Sequence, residues 1–480
     1  MNNGSQNKFY RDFLWYFIGS IIPALIAFIR LPIFTRYFSP EEYGYYTLVT
    51  STFAYMSMVL FSWISSCLWR FYNEAEKKNT LNALYSNLIF FSLASSFLLL
   101  GITTIWLILV KSTLVYRLVF LSFLQLTSGQ VLSLYLVTVR IREKALFYNL
   151  IYSLQAIGAF ALLFYFAFSL NYRIESILIG QVIINILLML VVVISIKKFP
   201  RISFTLVTGK SVRELLTYGA VGLYTSFCVL LLVSADRYII AIFNDIGSVG
   251  IYNQVYMLGQ FSIYHLVTVF FNTINPRVIK VLTYKPPDLN DQITGYIRFF
   301  IIIILPLVFY FSIFSRQMAN ILLGEKFRIG YRMIPYIMTS SFIYGLTLFN
   351  EAKLKFENRF SSLITGMTIA SLVNIALNFL LVPLWGYQAA AWTTLLSYII
   401  LYLWFYGADS IKYLNKNLLN YLTPVFLILV LQLGLDLMLR HVFHLDINEW
   451  VTVFEGFVFL SVYVILNRKN IHHLGLLYKS

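Results

Sequence analysis

About fourteen apolar stretches of roughly 20 residues succeed one another along this chain, the length of α-helix that crosses the hydrocarbon core of a bilayer. Read between charged or turn-rich breaks, they cover approximately 13–34, 43–68, 83–110, 115–139, 147–170, 174–196, 215–243, 249–275, 294–315, 331–352, 360–384, 388–408, 418–439 and 450–467. Lipid offers the backbone no hydrogen bonds, so a spanning run of this length must be a helix. The sequence therefore predicts an all-α integral membrane protein of about 14 transmembrane helices joined by short loops, with no extramembrane domain. Composition agrees. Of 480 residues, 59% are hydrophobic and 12% charged, too few charges to cover a water-soluble protein of this size. The first apolar run leads into Arg30 and Pro32 with no small-residue cleavage site, and is expected to be retained as a helix. Cys67 and Cys228 lie inside apolar runs and read as small core residues, not as a disulfide or a metal pair.

A formal charge of +16 would suggest nucleic acid in a soluble protein, but here the cations sit in short loops between apolar runs. If both termini face the cytoplasm, 25 of the 36 Lys and Arg fall on that side, among them Arg140, Arg142, Lys144, Lys197, Lys198, Arg201, Lys210 and Arg213. Nine fall on the other, among them Arg36, Arg173 and Arg316. That is the positive-inside bias of a multi-pass protein, and it implies no nucleic-acid partner. The remaining two, Arg30 and Arg237, lie within apolar runs.

The chain also repeats itself weakly. After the first run comes Phe38-Ser39-Pro40-Glu41-Glu42-Tyr43-Gly44-Tyr45-Tyr46, and after the seventh comes Phe243-Asn244-Asp245-Ile246-Gly247-Ser248-Val249-Gly250-Ile251-Tyr252. Both are tight turns into a Gly-x-Tyr helix start. Arg30 precedes Gly44 by 14 residues and Arg237 precedes Gly250 by 13. Two pseudo-symmetric six-helix lobes follow, residues 1–196 and 215–410, joined by a cytoplasmic linker at 197–214, with two appended helices in 411–480. A repeat of this kind places a substrate site between its halves.

Three segments carry a family resemblance. They are Arg30-Leu31-Pro32-Ile33-Phe34-Thr35-Arg36-Tyr37-Phe38-Ser39-Pro40-Glu41-Glu42-Tyr43-Gly44; Ser234-Ala235-Asp236-Arg237-Tyr238-Ile239-Ile240 with Val249-Gly250-Ile251-Tyr252; and Asn374 through Ser397, with Pro383-Leu384-Trp385-Gly386-Tyr387 and Ala389-Ala390-Ala391-Trp392. In order and spacing they resemble the multidrug/oligosaccharidyl-lipid/polysaccharide exporter superfamily, and within it the Wzx-type O-antigen flippases, also called polysaccharide biosynthesis proteins. The resemblance implies two helical lobes around a central cavity open to each side in turn. It implies a substrate of undecaprenyl-pyrophosphate-linked oligosaccharide moved between leaflets of the bacterial inner membrane, for O-antigen, lipopolysaccharide or another surface polysaccharide. Membrane lipids, H+ or Na+ and a polysaccharide polymerase machinery are the further partners it suggests.

Against that expectation the polar residues take roles. A charge inside a bilayer helix costs roughly 2.5–3.5 kcal/mol on insertion scales, so Arg30 and Arg237 are candidate pyrophosphate ligands through bidentate guanidinium forks. The competing readings are snorkelling to the outer headgroups, or for Arg237 a structural ion pair with a carboxylate on another helix. Asp236, the carboxylate well inside the first twelve runs, is the candidate ion-coupling site. Its side chain leaves the helix about 100° from that of Arg237, so the two are expected not to face each other. The eighth run carries a polar stripe, Asn253, Tyr256, Gln260, Tyr264, Thr268, Asn272 and Asn275, all but the last taken as substrate-contacting. Thr47 and Thr50 occupy matching places in the second run. Interhelical hydrogen bonding would explain both stripes as well. His265 lies just off the stripe and reads as structural. The basic segments Arg140–Lys144 and Lys353–Arg359 read as helix-end anchors at anionic lipid.

The sequence shows no paired carboxylates, phosphate loop or metal-ligand spacing, so no catalytic group, metal or cofactor is implied, and a transporter is favoured over a membrane-embedded glycan polymerase or glycosyltransferase. A lipid II-type flippase and a drug/cation antiporter of the same superfamily stay open, although the buried charge tilts basic where a cation carrier favours buried acids. The charge distribution generates a first prediction. Reporter fusions after Lys198 and Lys355 read cytoplasmic, and one after Pro40 reads periplasmic. A periplasmic signal at Lys198 would reverse the orientation.

Overall fold

The computed structural model describes residues 22–408 except 143, 196–201, 285–286 and 288, together with 449–466 and a few helical positions between 426 and 438. The start of the first expected span, most of the span at 418–439, and Lys197, Lys198 and Arg201 lie outside the described residues. The described chain is helical from end to end. We number α1 (22–37), α2 (Pro40–Lys77), α3 (Leu81–Leu109), α4 (Thr113–Ile141), α5 (Ala145–Phe164) and α6 (Ser176–Ser195). They are followed by α7 (Gly209–Phe243), α8 (246–284), α9 (Leu289–Ile313), α10 (Ile334–Phe356), α11 (Phe360–Trp385) and α12 (Ala389–Ala408), then the helix Glu449–Leu466. These ranges fall on the apolar runs of the sequence.

Local chemistry sets the ends. Pro40 opens α2, where its missing N–H would be unbonded anyway, and Glu41 and Glu42 favour the positive end of the helix dipole. The Asp245 side chain accepts from the Ser248 N–H at 2.7 Å and caps α8. Asn79 and Asn358, at φ of 56° and 57°, turn the chain out of α2 and α10 in the left-handed conformation that Asn tolerates.

Among the described residues, seven helical stretches are long and apolar enough to cross a membrane by themselves. Neither α8 nor α10 is among them, because both interleave polar side chains with apolar ones. Elsewhere large apolar side chains such as Phe97, Ile108 and Leu384 stand more than two-thirds exposed, a surface that only lipid can cover.

The chain divides into two compact units. Unit 1 comprises α1 through Arg30 and residues Glu41–Ser234; unit 2 comprises Leu31–Pro40 and the chain from Ala235. The division therefore runs through α1 and α7. In unit 1, α6 packs against α4 and α5, and α3 against α2 and α4. Gly180 of α6 lies so close to α5 that a Cβ there would stand 2.9 Å from the Ala159 carbonyl oxygen. In unit 2, α10 packs against α8, α9 and α12, and α12 against α11. Among the described residues, a π turn interrupts α2 at Met58–Ser62 and α8 at Gln260–Tyr264, and a third, Tyr165–Ser169, ends α5. The helices α2 and α8 are the two that the repeat makes equivalent, and π turns gather at functional sites.

The C-terminal end of α1 is stapled to the segment after the short helix Ser315–Leu322. Thr35 Oγ1 accepts from the Gly324 N–H at 2.9 Å, and an Arg36 guanidinium N–H donates to the Ile321 carbonyl at 2.8 Å. A Cβ on Gly324 would stand 2.0 Å from the Thr35 carbonyl oxygen, a backbone atom that cannot swing aside. Gly324→Ala is expected to cost at least about 1–3 kcal/mol. A lowered melting temperature in detergent and reduced membrane abundance are the readouts; an unchanged melting temperature would show the staple to be slack.

Candidate functional site

The tight turn between α7 and α8 sets the end of one helix against the start of the next. Asp236 and Arg237 on α7 thereby meet Tyr252, Asn253 and Tyr256 on α8. Arg237 Nε donates to Asn253 Oδ1 at 3.0 Å and Nη1 donates to Asp236 Oδ1 at 3.1 Å. The same carboxylate oxygen accepts from the Arg237 backbone N–H at 2.8 Å, and the Tyr252 hydroxyl donates to the other oxygen. The guanidinium carbon lies 5.1 Å from the centre of the Tyr256 ring, a cation–π contact. Both charges are buried, Asp236 at 0% and Arg237 at 3% exposure. Here the structure corrects the sequence reading, which had the two side chains turned away from each other. Their Cβ directions do diverge, but the arginine stem is long enough to curl back, and burial leaves each charge needing the other.

Arg30 is in a different situation. It is half-buried in unit 1, on a wall of a cavity of about 170 Å³ between α1, α5 and α6 that it shares with Gln181, Ala156 and Phe160. Its charge acts on the phenols of Tyr43 and Tyr46 at the start of α2. No ion pair to Arg30 occurs among the described residues. The two arginines matched by the repeat thus differ, one neutralised and enclosed, the other carrying its charge to a cavity.

The polar stripe of α8 divides at the π turn. Above it, Asn253 and Tyr256 are buried and belong to the Arg237 cluster. Gln260 opens the π turn, half-buried. Tyr264 closes it and stacks on Tyr344 of α10, ring centres 5.3 Å apart, and Tyr344 in turn meets Tyr398 of α12 at 5.6 Å. Below it, Thr268, Asn272 and Asn275 line a cavity of about 450 Å³ with Tyr344, Glu351 and Lys355 of α10. On α2, Thr47 is buried with a hydroxyl that has no hydrogen-bond partner, whereas Thr50 donates to the Tyr46 carbonyl of its own helix at 2.7 Å. His265 follows the π turn and is half-buried, its Nε2 without a hydrogen-bond partner among the described residues.

The segment Lys353–Arg359, read from sequence as a lipid anchor, ends α10 with Lys355 and Arg359 exposed and Lys353 turned into unit 2. Lys353 is buried, Lys355 pairs with Glu351 at 2.5 Å, and Arg359 donates to the Ala408 carbonyl at 2.6 Å. The carboxylates one helical turn away, Glu351 and Glu357, supply the counter-charges. At the end of α4, Arg142 donates to the Tyr72 hydroxyl at 2.6 Å, while exposed Arg140 lies over the Trp69 ring at 5.5 Å.

Sequence reasoning missed Tyr252, Tyr344, Glu351 and Lys355. Glu351 and Lys355 did carry a signal, an i,i+4 acid–base pair entering an apolar run. Tyr252 stood out as part of the Gly-x-Tyr repeat but not as a partner of Asp236, and Tyr344 carried no signal among 35 tyrosines, because only the packing of α7, α8 and α10 sets those contacts. The Asn374–Ser397 segment is explained by a clamp between α11 and α12, in which Asn378 donates to the Asn374 carbonyl at 2.9 Å and accepts from Thr393 Oγ1 at 2.9 Å.

Helices throughout, large apolar side chains exposed on the flanks and polar side chains buried within the units define an all-α multi-pass membrane protein. The chain superposes on the lipid II flippase MurJ in an inward closed conformation with a TM-score of 0.74, at 16% identity over 95% of this chain and 100% of that one. It superposes on an inward-facing multidrug-resistance MATE family transporter of the MOP superfamily with a TM-score of 0.59, at 12% identity over 82% and 98%. A MOP superfamily transporter from Pyrococcus furiosus, described as having a binding pocket of reversed polarity, gives 0.53 at 13% identity over 84% and 94%. At such identities the likeness is one of fold. No curated protein matches in sequence. Within this class the chain belongs to the polysaccharide biosynthesis protein family, whose model matches residues 9–280.

The buried pair yields a stability prediction. Asp236→Asn or Arg237→Gln alone leaves a buried charge uncompensated and is expected to cost about 3–5 kcal/mol, whereas the double variant recovers most of it. Melting temperature and membrane abundance report this. Additive losses in the double variant would show that the pair does not hold α7 to α8.

Proposed function

We propose that this protein is a flippase that moves an undecaprenyl-pyrophosphate-linked oligosaccharide from the cytoplasmic to the periplasmic leaflet of the bacterial inner membrane by alternating access, with both termini cytoplasmic, for assembly of O-antigen or another surface polysaccharide. The observation that carries the reading is Arg30, a charged side chain on a membrane helix, turned to a cavity and with no ion pair among the described residues. A cation kept unpaired in that setting is expensive, and a pyrophosphate is the anion a guanidinium fork grips best. The family supports a polysaccharide substrate, and Tyr, Asn, Gln and Thr along α8 suit sugar hydroxyls.

Asp236 is the proposed coupling site for H+ or Na+. In the described state its carboxylate holds Arg237. Neutralising that carboxylate would release the guanidinium, so that ion binding is linked to the state of the Arg237 cluster. Asp236→Asn, which cannot be neutralised further, would then make transport in vesicles indifferent to the gradient. A drug/cation antiporter is less well supported, because the buried acid of α7 already has its cation.

Two measurements test the reading. Deleting the gene is expected to abolish surface glycan while intact lipid-linked repeat units accumulate on the cytoplasmic leaflet; loss of repeat-unit synthesis would point to an enzyme, and loss of lipid II transport to the other flippase. Arg30→Ala is expected to lower transport about tenfold or more at unchanged abundance, with Arg30→Lys recovering only part, since an ammonium keeps the charge without the fork. Full activity of Arg30→Ala would end the anion-site reading.

A further inference from the structure

The 450 Å³ cavity between α8 and α10 lies within the range of about 300–1,000 Å³ that small-molecule sites occupy. Its walls combine three kinds of group. The first is a set of hydrogen-bonding groups left open. Asn275 Oδ1 is buried with no hydrogen-bond partner. Pro276, inside α8, has no N–H, so the Asn272 carbonyl loses its ordinary helical partner four residues on, and Asn272 lines the same cavity. The second is a flat aromatic surface, the Tyr264–Tyr344 stack, of which Tyr344 is a lining residue. The third is a charge pair, Glu351 with Lys355 at 2.5 Å. The Glu351 side chain is 15% exposed and that of Lys355 59%, so the carboxylate is fixed in the wall by a cation that reaches outward.

From this we infer that the α8–α10 cavity is a saccharide subsite selective for an uncharged hexose or N-acetylhexosamine, with Glu351 and Asn275 the groups that choose the sugar and Lys355 a positioning residue for Glu351. The inference rests on the reading of the protein as a carrier of lipid-linked oligosaccharide, and assigns a part of that substrate to one cavity. Sugars present a ring of hydroxyls that need acceptors, and an apolar C–H face that packs on aromatic rings. Glu351, Asn275 and the Asn272 carbonyl are all acceptors. A carboxylate with two oxygens has room for hydroxyl donors beside its lysine, and charge-assisted hydrogen bonds are the strong ones. The pair sums to zero charge, and its lysine is already engaged. The lining therefore offers no spare cation to the carboxylate of a uronic acid, whose negative charge would meet Glu351.

Saturation-transfer NMR on the full-length protein in detergent tests this with free glucose, galactose, N-acetylglucosamine and glucuronate as probes. At least one neutral sugar is expected to receive saturation, and glucuronate none. Glu351→Gln keeps the shape and removes the charge, and is expected to weaken the signal about tenfold or more. Asn275→Ala should weaken it too. Glu74→Gln, an exposed carboxylate of unit 1 outside the cavity, should leave it unchanged. Melting temperatures for each variant separate lost binding from lost folding. Lys355→Met is expected to shift the order of preference among the neutral sugars, which a purely structural lysine would not do. If no neutral sugar binds while vesicles still transport the lipid-linked oligosaccharide, the subsite is refuted and the flippase reading stands. Equal binding of glucuronate, or full binding by Glu351→Gln, refutes the assignment of Glu351. If sugars bind at this cavity but no lipid-linked oligosaccharide is transported, the subsite stands and the flippase reading fails.

Discussion

A membrane interior allows a charged side chain few ways to exist, and the organisation of this protein follows from how two arginines meet that constraint. Arg237 is closed in by Asp236, Asn253 and the Tyr256 ring, so that its charge never reaches lipid. The enclosure takes groups from two successive helices and thereby fixes how α7 turns into α8. Tyr252, the donor to Asp236, is drawn into the same cluster. Arg30 meets the constraint otherwise, by turning to a cavity lined with apolar side chains and Gln181. One arginine organises a helical corner, and the other carries unsatisfied chemistry.

The same logic separates the two ends of α8. Its upper polar groups are satisfied within the unit, and its lower ones open to a cavity. Between them stands the π turn, where one extra residue shifts the register of the face below it. Without that shift a single stripe at spacings of three and four would stay on one face along the whole helix. The interruption lets one helix serve a structural cluster and a cavity. A π turn in α2, the repeat-related helix of unit 1, marks the same design.

Much of this was legible before any coordinates. The apolar runs located α1 to α12 because hydrocarbon thickness fixes the length of a spanning helix. The tight turns before Gly44 and Gly250 announced the starts of α2 and α8 to within a few residues, and Pro40 and the Asp245 cap set them there through their own backbone neighbourhood. Arg30, Asp236 and Arg237 stood out because charge in an apolar run is costly wherever the run goes. The alternation along α8 was equally visible. What failed was the inference from helical angle that Asp236 and Arg237 could not meet, because angle describes where a side chain begins and a long arginine ends elsewhere. The assignment of Lys353 to lipid failed for a related reason. Loop cations near a helix end look alike in sequence, whether they face headgroups or fold back on a carboxylate one turn away.

The sequence by itself determined the solvent, the fold class and the list of charges that would have to be accommodated, since these depend on composition and on periodicities local to each helix. The tertiary structure alone decided which of those charges is paired and which faces a cavity. It also chose Tyr252 and Tyr344 from many tyrosines, and brought Asn275 and the Glu351–Lys355 pair to one wall. Those outcomes depend on which helix faces which and how far each is rotated. Helix–helix packing inside lipid sets both through contacts between residues distant in the chain, and no local pattern records them.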